Sequence, residues 1–459
     1  MFKRGRFFPI VLLTGLLASP PSVASIPEAD RLWRVGEGAF QDGLFDVARR
    51  HLEPLTDSFP EDPRRPQALF LLGKTLLALG DAERALHAIR QARTLGPSLD
   101  QTRGLTFWEG EALFKLRRFE EAREAYLSAA AASAGEFIPE ALYGAAWSES
   151  ESGRREETIA LFRQLLQGFP THPLAGTGTV DLAREFLAQE QWNQAATLLR
   201  PFATNFPQHP RLPEARYFLG LADLRRGAKE AGLAGLERFL QLHPRDPLAA
   251  EARMLAAREL TAQGKAREAV NHYRALVRDF PKDPLVPRAL LEEGILARKL
   301  SRPKEASAAW ERLAAMAPGD PLSRQAALEL ATQALKEARY TDALGWAAKI
   351  RTAQEREIRE EARLIEGEAS LRLSRPRDAI EAFEVVLKAD GGKGPRYYRA
   401  LARSGLAHEA LGEREQAIQN YREVIAGAKD LELVRWARDR LKQVKAPAKP
   451  ATPSRTKRS

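Results

Sequence analysis

Residues 73–97 read GKTLLALGDAERALHAIRQARTLGP, and this stretch contains the signals that decide the fold. Gly80 can adopt the left-handed conformation that ends a helix. Pro97 lacks the amide hydrogen that a helix interior requires, so it ends the following helix. Between them, Ala85 and Ile89 stand about one helical turn apart. The stretch therefore predicts two helices joined by a tight turn.

The same pattern recurs along the chain with a period of 36 to 38 residues, mostly 37. Each repeat has a small residue in its second helix, here called the second-helix column: Ala48, Ala85, Ala122, Thr158, Ala195, Gly232, Ala269, Ala306, Ala343, Ala379 and Ala417. Twelve residues earlier stands a Gly or Ala, the first-helix column: Gly36, Gly73, Gly110, Ala146, Ala183, Gly220, Ala257, Gly294, Ala331, Gly367 and Gly405. Four residues after the second-helix column, ten of the eleven residues are large and apolar. Three linked columns predict eleven tandem helix-turn-helix repeats.

Packing rules explain these columns. Small residues on both helices let the two backbones of a pair approach closely, and the large residue is predicted to fill the groove toward the next pair. Glycine stands in the turn of six repeats: Gly43, Gly80, Gly153, Gly227, Gly264 and Gly412. Proline ends most second helices, and a second proline often opens the next first helix: Pro63, Pro173, Pro210, Pro247, Pro284 and Pro321.

These Gly, Ala, aromatic and Pro columns resemble the tetratricopeptide-repeat family over about residues 29–430. The linkers, such as FPEDP at 59–63 and FPKDP at 280–284, are similar to those of its exported bacterial branch. That branch includes outer-membrane assembly lipoproteins and the cell-division coordinator linked to the Tol-Pal system. The resemblance implies an all-α fold, a right-handed α-solenoid of about eleven repeats with a C-terminal capping helix.

This register predicts a signal peptide (1–25), eleven repeats within 26–430, a capping helix (431–444) and a basic tail (445–459). The repeats are expected at about 29–65, 66–102, 103–138, 139–175, 176–212, 213–249, 250–286, 287–323, 324–359, 360–397 and 398–430. A capping helix is expected because an array must cover its last apolar face. The tail is rich in Pro, Lys and Arg, cannot bury a core, and is expected to be disordered.

The N-terminus has the layout of a secretory signal peptide. Lys3, Arg4 and Arg6 precede a mostly apolar run of about twelve residues, and small residues offer cleavage near Ala24 or Ser25. The run is shorter than the roughly 20 residues that span a bilayer. We therefore expect a periplasmic protein with no transmembrane span after cleavage; retention of the segment as an anchor is the alternative. The chain contains no Cys, so a lipid-anchored Cys is excluded.

The net charge of +10 is concentrated at the two ends of the chain. Residues 1–25 carry +3 and residues 445–459 carry +5, which leaves +2 for residues 26–444. A nearly neutral body does not predict nucleic-acid binding, which requires a dense basic face. The basic tail is expected to make at most a weak contact with anionic surfaces.

The sequence predicts no catalytic residue, cofactor or metal site, and hence a chain that is not an enzyme. The segment from Gly391 to Gly394 lacks the spacing of a phosphate-binding loop and the Ser or Thr after its Lys. His172 and His209 occupy equivalent linker positions, but a zinc site needs three or four ligands.

The first helices are expected to present the binding surface, because the resemblance implies that they line the concave face. The candidate partner-binding residues are Phe70, Phe107, Phe114, Lys115, Tyr143, Trp147, Tyr217, Leu221, Arg225 and Lys299. Aromatic side chains with a polar end are favoured binding anchors. The function expected is a periplasmic scaffold for protein or peptide partners in cell-envelope assembly or cell division. The alternative is a cell-wall or polysaccharide-associated factor that contacts anionic glycan or lipid through the groove or the tail.

Overall fold

The computed structural model of the chain describes residues 27–96, 99–131, 137–389 and 393–445. Within these ranges every regular element is a helix, and no strand occurs. The chain divides into two compact units, Met1–Gly235 and Leu236–Ser459. In each unit, consecutive helices pack against one another in antiparallel pairs, and a short turn joins the two helices of each pair. The predicted all-α solenoid of tetratricopeptide-like helix pairs is confirmed.

The first unit contains six first helices and their partners. The helices are α1 (Glu28–Gln41), α2 (Phe45–Ser58), α3 (Arg65–Ala78), α4 (Ala82–Thr94), α5 (Leu99–Lys115), α6 (Phe119–Ala130), α7 (Ile138–Glu151), α8 (Arg155–Gly168), α9 (Pro173–Ala188), α10 (Trp192–Leu199), α11 (Phe202–Asn205) and α12 (Leu212–Arg225). Here α10 and α11 are two pieces of one second helix, interrupted at Pro201. Helix α13 (Lys229–Leu242) contains the division between the units.

The second unit continues the same alternation of first and second helices. It contains α14 (Ala249–Ala262), α15 (Ala266–Asp279), α16 (Val286–Lys299), α17 (Pro303–Met316), α18 (Pro321–Lys336), α19 (Tyr340–Ala348), α20 (Arg356–Arg372), α21 (Pro376–Leu387), α22 (Pro395–Leu411), α23 (Arg414–Gly427) and α24 (Leu431–Lys445). The last helix packs on α23 and buries Val434 and Ala437. A C-terminal capping helix is therefore present, as expected.

The first-helix glycines lie directly under the large residue of the second helix in the same repeat. A Cβ placed on Gly294 would come within 2.2 Å of Nε1 of Trp310, and one on Gly110 within 2.7 Å of the Tyr126 ring. The other pairs of this kind are Gly36–Leu52, Gly73–Ile89, Gly367–Phe383 and Gly405–Tyr421. From the sequence, the large residue was predicted to fill only the groove toward the next pair of helices. Tyr126 fills the space within its own pair and the groove toward the next pair, because its ring also lies directly against Gly144 of the next first helix.

The turn between the two helices has the same backbone conformation in all eleven repeats. The residue seven after the first-helix column has a positive φ each time. Six of these residues are the predicted glycines, which confirms their left-handed role. The other five are Arg117, Glu190, Ser301, Ala338 and Ser374, with φ between 57° and 61°. Tertiary packing therefore imposes a left-handed turn even where the sequence supplies a residue that resists it.

Replacing Ala338 with glycine should stabilise the protein by about 0.5–1 kcal/mol, because glycine has no Cβ to resist a positive φ. The converse change, Gly264→Ala, should destabilise it by a similar amount, although a Cβ there meets nothing within 4 Å. Urea unfolding followed by circular dichroism measures both changes. Gly319→Ala is the control, since that position is open and lacks a positive φ. A loss of stability in Ala338→Gly would contradict the strain argument.

The linkers between repeats share a hydrogen bond that the sequence did not reveal. Asp62, Asp246, Asp283 and Asp320 each accept, through Oδ1, the amide hydrogen two residues later at 2.8 Å. His172 and His209 occupy the same position, and their Nδ1 atoms accept equivalent amides at 3.2 and 3.1 Å. The side chain of the residue before the second linker proline therefore accepts a hydrogen bond from a backbone amide, and this bond orients the next first helix.

The second linker proline itself has two roles. Pro173 and Pro321 are the first residues of α9 and α18, as predicted. After each of the other four, Pro63, Pro210, Pro247 and Pro284, the helix begins two residues later. The predicted signal peptide, the tail beyond Lys445 and residues 391–392 lie outside the described residues.

Candidate protein-binding surface

The predicted binding residues occupy fixed positions on the first helices: three before, and one, four or five after, the first-helix column. On a helix with about 3.6 residues per turn these positions fall within roughly 100° of one another. They therefore share one side of each first helix, here called the first-helix face.

Three of the ten predicted residues are buried instead of displayed. Phe107, Tyr143 and Tyr217 are 7%, 3% and 2% exposed. Phe107 stacks on Phe137 with ring centroids 4.9 Å apart, and Tyr143 packs edge-on against Phe162. All three stand three residues before the first-helix column, a position that is buried in most repeats. Because they are buried, we do not propose these three residues as surface anchors.

The other seven predicted residues have some access to solvent. The half-buried ones are Phe70, Phe114, Trp147 and Leu221, and the exposed ones are Lys115, Arg225 and Lys299. Four of these seven are apolar or aromatic residues on half-buried sites, where a partner can cover the remaining surface at little cost in side-chain freedom. Their role in binding stays a prediction.

The structure brings three aromatic rings together around one lysine in the first unit. The Nζ atom of Lys74 lies 5.0 Å from the ring centroid of Phe40, 4.8 Å from that of Phe70 and 5.9 Å from that of Trp108. The four side chains come from α1, α3 and α5, and all are half-buried. We call this cluster the aromatic patch.

Of the aromatic patch, only Phe70 was predicted from the sequence. Phe40 and Lys74 stand four and one after the first-helix column, so the same register could have found them. Trp108 stands two before the column, outside the positions considered, and no sequence signal placed it there. The cation–π contacts hold the positively charged lysine against the rings.

The predicted basic residues share a position that has a local explanation. Lys115, Arg225 and Lys299 are each the last residue of their helix, as are Lys336 and Arg372. A cation at a helix C-terminus is stabilised by the helix dipole, worth about 0.3–1 kcal/mol at an exposed site. Helix electrostatics therefore accounts for this column without a ligand, although the exposed charges remain available to one.

A polar network lies beside the first-helix face in repeats four to six, and the sequence did not predict it. Asp181, whose side chain is 2% exposed, accepts hydrogen bonds from the Tyr143 hydroxyl and from Nη1 of Arg211, both at 2.8 Å. Nη1 of Arg184 lies 3.2 Å from the same carboxylate. Glu214 joins the network through Arg184 and Arg211, each at 2.6 Å.

The charges of this network determine the acidity of Glu214. Burial alone would raise the pKa of that carboxyl, but the hydrogen bond from Arg211 and the two arginine charges outweigh burial and hold the pKa below its usual value. Three repeats are thus joined by a hub of two carboxylates, Asp181 and Glu214, and two arginines, Arg184 and Arg211. The hub ties together the first helices of the fourth, fifth and sixth repeats.

The described residues contain no group of three or more His, Cys, Asp or Glu side chains arranged to hold a metal ion. Over the same part of the chain, none of the helices has both the length and the apolar character needed to cross a bilayer. The surface carries half-buried aromatic rings, exposed helix-end cations and inter-repeat grooves. Such features are suited to contacts with other macromolecules.

Two sequence families match the chain. The tetratricopeptide-repeat profile matches residues 36–100, 291–357 and 366–430. The profile of the YfiO family, described as an outer membrane lipoprotein, matches residues 136–292. No curated protein matches the chain closely enough to count as a relative.

Several solved structures are similar. The C-terminal part of a tetratricopeptide-repeat protein from Cytophaga hutchinsonii is 12% identical, with a TM-score of 0.49 over 56% of this chain and 99% of its own. A tetratricopeptide-repeat protein from Parabacteroides merdae ATCC 43184 is 15% identical, with a TM-score of 0.35 over 59% of this chain and 99% of its own. The Cut9–Hcn1 hetero-tetramer of the APC/C contains a chain that is 14% identical, with a TM-score of 0.34 over 92% of this chain and 97% of its own.

Proposed function

This chain belongs to the tetratricopeptide-repeat proteins, and we propose that it is an exported scaffold that holds envelope proteins together through its first-helix face. A protein-interaction scaffold is the function that both matched families support. Partner proteins or peptides bind the first unit in this proposal. The protein acts in the periplasm, in envelope assembly or cell division.

The observation that carries the binding proposal is the aromatic patch. Three rings from three successive first helices surround Lys74 and remain half-exposed. Binding energy at protein interfaces concentrates in such clusters of aromatic and cationic side chains, where a few residues each contribute about 2 kcal/mol or more. A partner segment with apolar side chains and a carboxylate would cover the rings and pair with the lysine.

Export is supported by two independent features of the sequence. Residues 1–25 have the basic, apolar and small-residue layout of a signal peptide. Residues 136–292 match a family described as an outer membrane lipoprotein. This chain has no Cys to carry a lipid, so we propose a periplasmic protein that reaches the membrane through its partners.

Changing the aromatic patch should reduce partner recovery from envelope extracts. The double variant Phe70→Ala and Lys74→Glu removes one ring and reverses the charge, and recovery of a stoichiometric partner should fall about tenfold or more. The measurement is affinity purification with quantitative mass spectrometry, using the full chain as bait.

The matched control is Leu127→Ala, which removes a 37% exposed apolar side chain from the second helix α6. It should leave recovery unchanged. Circular dichroism checks that both variants remain folded. Equal recovery by the wild-type chain and the patch variant would show that the partner binds elsewhere.

A further inference from the structure

The second helix of the fifth repeat is interrupted, and a groove opens beside the break. Helix α10 ends at Leu199 after eight residues, whereas its neighbour α8 has 14. Pro201 has no amide hydrogen, so it cannot donate to the carbonyl of Thr197 four residues earlier. The regular hydrogen bonding is interrupted at this point, and the short piece α11 begins at Phe202.

The groove lies between α8, α9 and α10 and has a volume of about 430 Å³. That volume is within the range of roughly 300–1,000 Å³ that is usual for ligand-binding clefts. Its apolar lining comes from Leu166, Leu182, Phe186 and Leu198, one or more from each of the three helices. An apolar trough of this size on a repeat surface can accept two or three side chains of a partner.

This groove and the first-helix face lie on opposite sides of α9. Leu182 and Phe186 are four residues apart and share one side of the helix. Arg184, on the first-helix face, is rotated from them by about 160–200° at 3.6 residues per turn. A ligand in the groove would therefore not compete with one on the first-helix face of the same repeat.

Arg163 is the one charged residue that lines the groove. It is exposed, and its guanidinium carbon lies 5.5 Å from the ring centroid of Phe186. In the part of the chain that the structure describes, no carboxylate lies within ion-pair distance of it. The other polar residues of the rim include the amides of Asn193 and Gln194, which can both donate and accept hydrogen bonds.

We propose that this groove docks a short segment of a partner protein in which Asp or Glu stands beside apolar residues. The segment's carboxylate pairs with the guanidinium of Arg163, a geometry in which arginine donates two parallel hydrogen bonds. Its apolar side chains fill the trough between Leu166 and Leu198 over Phe186. The amides of Asn193 and Gln194 bond the segment's backbone. The proposal does not depend on the aromatic patch.

Selection of a random peptide library displayed on phage tests this proposal directly. The library is first depleted on the full chain carrying Arg163→Glu and then selected on the unaltered full chain. We expect enrichment of peptides with Asp or Glu next to Leu, Ile or Phe. Their affinity should fall about tenfold or more on Arg163→Glu, as expected for the loss of a charge-assisted hydrogen bond.

The control is Arg155→Glu, the same charge change at an exposed position of α8 that does not line the groove. It should bind the selected peptides as the unaltered chain does, and so should the Phe70→Ala, Lys74→Glu variant. No enrichment, enriched peptides without an acidic residue, or equal loss in Arg155→Glu would overturn the proposal. Concentration-dependent dimers that Arg163→Glu abolishes would also overturn it, since the occupant would then be a second copy of this chain.

Discussion

Replacing Trp310 with alanine is expected to cost about 3–5 kcal/mol of stability in the second unit. The indole is fully buried in α17, and its Nε1 donates to the carbonyl of Leu291 at 3.3 Å. Its ring fills the space over Gly294 that the absence of a side chain creates. Removing the ring leaves a cavity between two helices that the rigid backbone of the pair cannot close.

Replacing the glycine of this pair should also destabilise the second unit, although by less than replacing the tryptophan. In Gly294→Ala the added Cβ would stand 2.2–2.6 Å from three atoms of the indole, and the displaced ring should cost about 1–3 kcal/mol. Hydrogen exchange measured by mass spectrometry assigns the loss to α16 and α17. Gly319→Ala is the matched control, because a Cβ there meets nothing within 4 Å. Equal protection in all three variants would contradict the proposed packing.

The second large effect is expected at the carboxylate hub of the first unit. Asp181→Ala should destabilise the first unit by about 3–5 kcal/mol, because it removes the shared acceptor of a buried ion pair. Arg211, whose side chain is 15% exposed, would keep its charge beside Arg184 with only Glu214 to compensate. The Tyr143 hydroxyl would also lose its acceptor.

Urea unfolding with hydrogen exchange as a local readout measures this change. The control is Glu28→Ala, which removes one half of a pair with Arg31 in which both side chains are 55% exposed. Exposed pairs contribute little to stability, so this variant should unfold almost as the wild-type chain does. If Asp181→Ala behaved like Glu28→Ala, the hub would not hold the fourth, fifth and sixth repeats together.

The fold could be predicted from the sequence because the repeat multiplies weak signals. One glycine in a turn is a modest indication, but the same position recurs in all eleven turns and the backbone there is left-handed each time. The five turns without glycine were not predicted, since an Ala or Arg carries no such signal. Packing of the two helices decides the conformation there, and packing can be read only from the structure.

The binding surface was less predictable, because a helical position defines a direction and not an exposure. Phe107, Tyr143 and Tyr217 share a position with Phe70, yet their side chains are buried and that of Phe70 is partly open. The hub was not predicted because its members are 30 and 38 residues apart in the sequence. The repeat period alone does not say which charged side chains come into contact.

Photo-crosslinking in intact cells shows whether an envelope protein binds the first-helix face of the first unit. A photoreactive amino acid replaces Phe70 in one strain and Leu127 in another, and mass spectrometry identifies the crosslinked partner and the processed N-terminus. We expect an envelope protein to crosslink at position 70 and not at position 127, and the chain to begin near residue 25. Absence of a crosslink at position 70, or equal crosslinking at both positions, would contradict the claim.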